Sequence, residues 1–424
     1  MSKPKRLLPS LVYADAQGQI YDHPSLRMLC RKGGEILPPN PGECIPLPPG
    51  SDLFLLPSRQ AVGWDPQTGQ IVETEDLAVA AFVCPGYTLS GLAAYATLDN
   101  ACTLPLFAYG AIGFLHDQFY ICAQKVDADP RQDFGRIPAK NIQRGVQRLL
   151  TTLPDNRLVR HLSTCALTYK CPAAKNLALG RYEVPLPTAR ACNAACIGCI
   201  SLQEPDSGYP ATQNRISFRP SAGELVQIMQ YHAQQERRPI FSFGQGCEGE
   251  PLTEASLIRK AVEAFRQQGG SGTVNINTNA SMPECIPDLA RAGIDSIRVS
   301  IHSAQPEVYT AYHRPMAYSY THVVDCIQAA KEQNLFVSLN FLFFPGLSDT
   351  EDEYLALAQL IQDTGIDFIQ WRNLNLDPEL YVQRMPPACS PSMGLTNLLH
   401  RLQKDFPDLG FGYFNPYLPS CGRL

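Results

Sequence analysis

The segment Ala191–Ile200 reads ACNAACIGCI and spaces Cys192, Cys196 and Cys199 as C-x3-C-x2-C. It directly follows Tyr182–Pro187, an apolar run that predicts a buried strand. Thiolates select zinc or iron–sulfur centres among biological metals. A structural zinc site needs four ligands, usually from two C-x2-C pairs, and no second pair lies nearby. A four-iron cluster held by one cysteine per iron would keep its fourth iron free, and an open iron is a reaction site.

After residue 180, apolar runs alternate with amphipathic segments. Each apolar run predicts a strand, and each amphipathic segment predicts a helix that crosses to the next strand. This alternation requires a parallel sheet covered by helices, with its chemistry at the carboxyl ends of the strands. The six predicted strands are Tyr182–Pro187, Ile240–Phe243, Thr273–Asn277, Ser296–Ile301, Leu335–Phe343 and Asp367–Trp371.

Helix boundaries in this region follow from local signals. Three S-x-x-E spacings predict capping boxes, and three glycines stand where a helix end needs a left-handed residue. The capping pairs are Ser221 with Glu224, Ser281 with Glu284, and Ser348 with Glu351, and the glycines are Gly269, Gly293 and Gly365.

The first 180 residues differ in character. Strands are predicted for Asp52–Leu56, for a hairpin within Ala61–Val72 and for two strands within Phe107–Cys122, and helical spacing follows in 142–152 and 157–169. The sequence therefore predicts an α/β chain with four parts. They are a β-rich N-terminal domain (1–135), a helical connector (136–179), a partial barrel (180–385) and a C-terminal extension (386–424).

Together with motifs on the later strands, the cysteine segment resembles the radical SAM superfamily, whose triplet lies after the first strand of a partial (β/α)6 barrel. The resemblance covers about residues 180–385, and the whole pattern is close to the MoaA-like and activating-enzyme-like branches. Gly249-Glu250-Pro251 is similar to the GGEP segment that contacts the methionyl amino group of S-adenosylmethionine (SAM). Arg298-Val299-Ser300 is similar to the polar pair that relatives direct at the SAM ribose and carboxylate.

Two further segments extend the resemblance. Asn277 begins a TNG-like turn, and Asn340 with the segment after it resembles the region that borders adenine. The resemblance thus assigns Cys192, Cys196 and Cys199 to the metal and assigns no catalytic residue beyond these ligands. Its SAM-binding residues are Gly249, Glu250, Pro251, Asn277, Arg298, Ser300, Asn340 and Gly346.

The sequence departs from the family at two positions. Relatives commonly place an aromatic residue before the third cysteine, where it packs on adenine, and here that residue is Gly198. Adenine packing is then expected from elsewhere, with Ile197 and Ile200 as candidates. Glu248 replaces the first glycine of the GGEP segment, which restricts how closely the backbone can approach a ligand.

The resemblance implies an oxygen-sensitive, cytoplasmic enzyme with a 4Fe–4S cluster and SAM as cofactors. It implies reductive cleavage of SAM to a 5'-deoxyadenosyl radical, which takes a hydrogen atom from an unknown substrate, a peptide or protein or a small molecule. A reductant such as flavodoxin or ferredoxin is the expected partner. The backbone amides of 193–197 are expected to tune the cluster. The alternatives are a non-catalytic iron–sulfur sensor or binding protein on the same barrel and a structural zinc module.

Composition limits the other possibilities. The net charge of −5 provides no global positive field for nucleic acid, although the arginines of 144–170 leave an RNA partner open. No apolar run approaches the ~20 residues that cross a bilayer, and Pro9 and Ser10 interrupt a signal-like start. Fifteen cysteines are about double ordinary usage and are expected to be a few ligands among buried thiols in a reducing cytoplasm. For the cysteines outside the triplet, buried thiols are favoured over an auxiliary cluster.

Overall fold

The structure is a computed structural model that describes residues 7–40 and 42–419. Lys3, Lys5, Arg6 and Cys421 lie outside the described residues, so the signal-like start and the last cysteine have no structural account. No described helix has both the length and the apolar character needed to cross a membrane.

The N-terminal region is a β structure, as predicted. The predicted hairpin exists as two long antiparallel strands that meet at Asp65 and Gln70. The strands are β1 (Ser10–Ala14), β2 (Ile20–Arg27), β3 (Cys30–Lys32), β4 (Glu35–Leu37), β5 (Cys44–Pro46), β6 (Asp52–Asp65), β7 (Gln70–Phe82), β8 (Tyr87–Leu89), β9 (Leu92–Ala93), β10 (Tyr95–Thr97), β11 (Ile112–Leu115) and β12 (Gln118–Lys125). Nine of them form one sheet. Seven of these follow the order β10-β6-β2-β1-β11-β12-β5, while β7 pairs with β1 and β6, and β8 pairs with β12. A second sheet has the order β4-β3-β9.

Three helices connect this region to the rest of the chain: α1 (Ala139–Thr152), α2 (Arg157–Leu167) and α3 (Pro172–Leu179). The first two were predicted from their apolar spacing. Helix α3 was not predicted, because apolar residues occupy almost all of its faces and therefore show no clear helical periodicity. Proline at its first position and Gly180, with φ of 66°, at its end delimit it.

The second half forms a parallel sheet whose strands stand side by side in chain order. Its strands are β13 (Glu183–Pro185), β14 (Ile240–Phe243), β15 (Thr273–Thr278), β16 (Ser296–Ile301), β17 (Phe336–Phe343), β18 (Phe368–Asn373) and β19 (Gly410–Gly412). The six predicted strands are present, and this chain-order sheet confirms the partial barrel. The unpredicted strand β19 is three residues long with two glycines, so it carries no strand signal of its own.

Helices alternate with the strands of this sheet along the chain. They are α4 (Ala222–Ala233), α5 (Ala255–Gln267), α6 (Ile286–Ala292), α7 (Pro306–His313), α8 (Tyr320–Glu332), α9 (Glu351–Thr364), α10 (Pro378–Arg384) and α11 (Leu395–Asp405), with 3₁₀ turns at Pro251–Glu254 and Pro283–Cys285. Gly269, Gly293 and Gly365 have positive φ at or just after helix ends, as predicted.

One of the three predicted capping boxes is correct. Ser221 and Glu224 form both reciprocal hydrogen bonds at the start of α4. The prediction at Ser281 is wrong, because α6 begins only at Ile286 and the Ser281 hydroxyl instead accepts a hydrogen bond from Asn193. The prediction at Ser348 is also wrong, because Thr350 caps α9 while Ser348 accepts from the Phe344 amide.

The alternation along β16 separates two faces of the sheet. Ile297, Val299 and Ile301 are fully buried in the hydrophobic core beneath the helices. Arg298 and Ser300 therefore face the concave side, since neighbouring side chains on a strand point in opposite directions.

The N-terminal region packs on the loops at the carboxyl ends of the barrel strands. The Thr88 hydroxyl donates to the Trp371 carbonyl at 2.7 Å, and Arg59 pairs with Asp377 at 3.3 Å with both side chains buried. One hydrophobic cluster combines residues of both regions, from Val12 and Ile121 to Tyr312. The β structure thus covers the end of the barrel where parallel α/β sheets place their chemistry.

Candidate functional site

The cysteine loop follows β13 and is held as an extended segment. The Ala195 amide donates to the Arg314 carbonyl at 3.2 Å and the Ile197 amide to the Tyr312 carbonyl at 3.0 Å. The Met316 amide donates to the Asn193 carbonyl at 2.8 Å, which completes a ladder beside the end of α7. The amides of Ala195 and Ile197 are therefore engaged with carbonyl oxygens, so the predicted set of cluster-tuning amides is wrong for these two residues.

Other groups face the sulfur atoms instead. Arg215 places Nη2 3.6 Å from Cys199 Sγ, and the Ser201 hydroxyl lies 3.7 Å from the same sulfur. His313 Nδ1 lies 3.4 Å from Cys196 Sγ. Burial raises the pKa of the Cys192 thiol to about 11, and the nearby Glu250 adds to this rise. Without a metal, the Cys192 thiol is therefore protonated at neutral pH.

The spacing of the triplet distinguishes between kinds of metal centre. Cys192 and Cys199 lie close enough to Cys196 that their negative charges raise its pKa. The three sulfur atoms nevertheless do not all lie within 4.8 Å of one another in the described structure. Sulfurs around a single tetrahedral zinc are about 3.8 Å apart, from Zn–S bonds of ~2.3 Å. The arrangement is therefore wide for one ion and suits a centre whose cysteines bind separate irons.

Gly249 lies directly beside the start of the cysteine loop. Its amide donates to the Ala189 carbonyl at 2.7 Å, and the Glu250 amide donates to the Ala191 carbonyl at 2.9 Å. A Cβ atom at Gly249 would be 1.9 Å from the Ala191 oxygen. Only glycine permits this approach, so the predicted GGEP-like segment is joined to the metal-binding loop by backbone pairing.

The Glu250 carboxylate connects this segment to the end of β15. It accepts hydrogen bonds from the Thr278 hydroxyl at 2.5 Å, from the Asn279 amide at 2.8 Å and from the Leu252 amide at 3.0 Å. Burial raises its pKa to about 7. Pro251 then starts the 3₁₀ turn that leads into α5.

Glu248, at which the sequence departs from the family pattern, is buried and connects the ends of strands β13 and β14. Its carboxylate accepts from the Thr188 and Ala189 amides after β13 and from the Gly244 and Gln245 amides after β14, at 2.6–3.1 Å. Burial raises its pKa to about 7, while these backbone donors act to lower it. The side chain points into the protein, and the backbone of the segment still reaches the cysteine loop.

Four predicted SAM-binding residues meet on neighbouring strands. Asn277 lies opposite Arg298, and Ser300 lies opposite Asn340, whose Nδ2 is 3.4 Å from the Ser300 hydroxyl. Arg298 donates to Gln370 at 3.1 Å, and burial together with the nearby Arg372 lowers the pKa of Arg298 to about 10.

Two donors on this surface lack partners. Arg298 Nε and Asn277 Nδ2 are buried without a hydrogen-bond acceptor. No described carboxylate forms an ion pair with Arg298. Buried donors without partners are rare in folded proteins, so this concave surface is suited to an anionic or hydrogen-bond-accepting ligand.

Gly346 lies apart from this group. A Cβ atom at Gly346 would be 2.2 Å from the Gly33 nitrogen, and the Gly33 amide donates to the Pro345 carbonyl at 2.8 Å. Its φ of 88° also requires glycine. The structure thus places Gly346 against the β3–β4 turn of the N-terminal region.

The sequence did not reveal Tyr312, His313 or Arg215 as neighbours of the triplet. A Cβ atom at Gly198 would be 2.3 Å from the Tyr312 hydroxyl, so Tyr312 fills the space beside the third cysteine. Ile197, a candidate for adenine packing, is buried, and its carbonyl accepts from the Tyr209 hydroxyl at 3.0 Å. His313 is 117 residues from Cys196 in the chain, so no local pattern links them.

Part of the chain is similar in sequence to known proteins. The model of the radical SAM superfamily matches residues 186–358. The chain is 32% identical over 120 residues to the probable GTP 3',8-cyclase of Aeropyrum pernix, covering 28% of this chain and 32% of that protein. It is 24% identical over 182 residues to the GTP 3',8-cyclase of Petrotoga mobilis, covering 42% and 52%. The chain thus spans about half or less of the curated relatives it matches.

A solved structure shows a partial likeness. Streptococcus suis SuiB bound to S-adenosylmethionine aligns with a TM-score of 0.39 and 13% identity, over 69% of this chain and 68% of that one. The family match begins at the end of β13 and includes the cysteine loop, the Gly249 segment and strands β14 to β17. Residues 186–358 therefore form a domain of the radical SAM superfamily.

Proposed function

We propose that this chain is a radical SAM enzyme whose cluster is bound by Cys192, Cys196 and Cys199. The family implies a 4Fe–4S cluster and SAM as cofactors, and the wide spacing of the three sulfur atoms supports that cluster over a single ion. When bound, the reduced cluster supplies one electron to the sulfonium of SAM, yielding methionine and a 5'-deoxyadenosyl radical that takes a hydrogen atom from the substrate.

The residues around the sulfurs set the charge of the centre. Three thiols lose their protons when they bind metal, so the site gains negative charge. Arg215, 3.6 Å from Cys199 Sγ, compensates part of it and favours the reduced cluster. His313 is buried, which lowers its pKa to about 3 and keeps it neutral. It therefore offers a hydrogen bond to Cys196 without adding a positive charge.

The SAM molecule is proposed to lie between the cysteine loop and the concave face of the sheet. Gly249, Glu250 and Pro251 run along the loop and would contact the methionyl amino group. The guanidinium of Arg298, whose Nε has no acceptor, would bind the carboxylate, and Asn277, Ser300 and Asn340 would bind ribose or adenine. The observation that carries this assignment is the pair of buried, unpartnered donors, Arg298 Nε and Asn277 Nδ2. Gly346 stays a prediction as an adenine neighbour.

The N-terminal region is proposed to close the site. Its core is continuous with Ile197 of the cysteine loop and with Tyr312. A covered barrel mouth excludes water and oxygen, which a reactive radical requires. The reductant, of the flavodoxin or ferredoxin class, and a reducing cytoplasmic location belong to this proposal, and the substrate is a peptide, protein or small molecule with a transferable hydrogen.

The proposal is tested by measuring 5'-deoxyadenosine. Anaerobically reconstituted protein with dithionite and SAM should release 5'-deoxyadenosine, and replacing any one of the three cysteines with alanine should abolish it. A cysteine outside the loop, Cys84→Ala, is the matched control and should retain the activity. A fully loaded cluster that never cleaves SAM, even with cell extract as a source of substrate, would instead favour the non-catalytic iron–sulfur sensor.

A further inference from the structure

A second set of metal-binding side chains lies outside the proposed cluster site. His161, Cys165 and Cys247 each place a ligand atom within 4.8 Å of the others. The distance from Cys165 Sγ to His161 Nε2 is 3.6 Å. Cys165 and Cys247 are buried, and His161 is half-buried. Among the described residues, this is the one such group of three histidine, cysteine or acidic ligands.

The three side chains come from two separate parts of the chain, helix α2 and the loop after β14. His161 and Cys165 are four residues apart on α2, so they lie on the same face of the helix. Cys247 belongs to the loop after β14, and its carbonyl accepts from the Ile216 amide at 2.8 Å. The group therefore joins the helical connector to the barrel, one residue before Glu248.

Cys171 lies outside the group of three within 4.8 Å but close to it. It precedes α3, and its amide donates to the Cys165 carbonyl at 2.9 Å, which folds the chain back towards α2. Its thiol interacts electrostatically with both Cys165 and Cys247. Three cysteines and one histidine form a ligand set that is common at structural zinc sites.

The distances favour a single ion over a cluster. Around tetrahedral zinc, with Zn–S of ~2.3 Å and Zn–N of ~2.0 Å, sulfur and nitrogen are about 3.5 Å apart. The His161–Cys165 distance of 3.6 Å is close to this value before any metal is bound. The triplet of the cysteine loop is wider, so the two groups differ in the kind of centre that they suit.

We propose that His161, Cys165 and Cys247 bind a structural Zn²⁺ that fixes the helical connector to the loop after β14, with Cys171 as the fourth ligand once its side chain turns towards the ion. Binding releases the thiol protons to solvent and changes no oxidation state. The ion would hold Cys247 in place and thereby position the Glu248–Glu250 segment beside the cysteine loop. The ion itself takes no part in SAM cleavage, and the argument for this zinc site does not rest on the proposed SAM chemistry.

The first test is metal analysis of the full chain with its cluster reconstituted. We expect about one zinc per chain in addition to the cluster iron. The variants His161→Gln and Cys165→Ala should lose the zinc and keep the iron. Cys44→Ser is the matched control, because Cys44 is also half-buried beside another thiol, Cys122 at 3.8 Å, and this variant should retain the zinc.

The second test remains informative if those variants fail to fold. A chain whose Cys192, Cys196 and Cys199 are all replaced with alanine should bind one Co²⁺, with thiolate charge-transfer and tetrahedral ligand-field absorption, and equimolar Zn²⁺ should displace it. Removing the zinc with a chelator should lower Tm. Absence of cobalt absorption together with absence of zinc would overturn the proposal, as would iron in this position or a Cys165–Cys247 disulfide in protein purified under reducing conditions.

Discussion

The hydroxyl of Tyr312 lies in the space that a side chain at position 198 would occupy, since a Cβ atom at Gly198 would be 2.3 Å from it. The ring of Tyr312 belongs to α7 and packs against His302, with 4.4 Å between ring centroids. Relatives are expected to have an aromatic residue at position 198, whereas here an aromatic ring reaches the same place from a distant helix. Tyrosine at 312 therefore requires glycine at 198, because a larger residue at 198 would overlap the Tyr312 hydroxyl.

The first prediction tests this pairing by a double-mutant cycle. Gly198→Ala should destabilise the chain by about 1–3 kcal/mol, because the methyl group overlaps the Tyr312 oxygen in a packed site. Tyr312→Phe removes that oxygen and should recover most of the loss when the two changes are combined. Urea unfolding of the four proteins measures the coupling. Strictly additive effects would contradict the pairing.

A second prediction concerns Glu250. In Glu250→Gln an amide NH₂ group replaces one of the acceptor oxygens, so either the Thr278 hydroxyl or the Asn279 amide loses its acceptor. The expected loss is about 1–3 kcal/mol in the free energy of unfolding at pH 8, above the raised pKa of about 7. Glu254→Gln, which weakens an exposed pair with Arg219, is the control and should cost less than ~1 kcal/mol. Equal losses in the two variants would argue against a bridging role for Glu250.

The third prediction concerns the affinity for SAM. Arg298→Met removes the guanidinium proposed to bind the carboxylate, and the dissociation constant of SAM should rise about 10- to 100-fold, as expected for a charge-assisted hydrogen bond. The iron content should not change. Arg259→Met, which alters a helix-surface pair with Glu263, is the control. Equilibrium dialysis of the reconstituted proteins measures the effect, and an unchanged constant would remove Arg298 from the SAM site.

A fourth prediction is a pH dependence of stability from His302. Burial lowers the pKa of His302 well below its ordinary value of 6.5, and both ring nitrogens lack partners. The unfolded chain takes up a proton below about pH 6.5 and the folded chain does not, so stability is present above that pH and falls as pH decreases. His302 contributes up to ~1.4 kcal/mol per pH unit to the slope, and buried His313 contributes in the same direction. His302→Phe should reduce the slope by the contribution of one proton, whereas the neighbouring Tyr381→Phe should leave it unchanged. If His302→Phe retained the wild-type slope, His302 would not be its source.

The sequence predicted the barrel strands well because apolar residues dominate strands such as β14 and alternate with polar residues along β16. It could not predict β19, whose two glycines pack against Phe368 and join the sheet only through tertiary contacts. The capping boxes show the same limit. Ser281 and Ser348 have the right local spacing, yet tertiary partners engage both hydroxyls.

The candidate site was predictable where its residues follow strands in order. Asn277, Arg298, Ser300 and Asn340 meet because adjacent parallel strands bring them into register. Glu248 was predicted only to hinder backbone approach, whereas its carboxylate braces four backbone amides. Tyr312, Arg215 and His313 could not be predicted, since a single sequence carries no signal for contacts between distant loops.

The most direct measurement is the electron paramagnetic resonance spectrum of the reduced cluster with and without SAM. We propose that the polypeptide leaves one iron free for the amino and carboxylate groups of SAM. Adding SAM should therefore shift the spectrum of the wild-type protein. An identical spectrum at full cluster occupancy, or a mononuclear metal bound by Cys192, Cys196 and Cys199, would contradict this proposal.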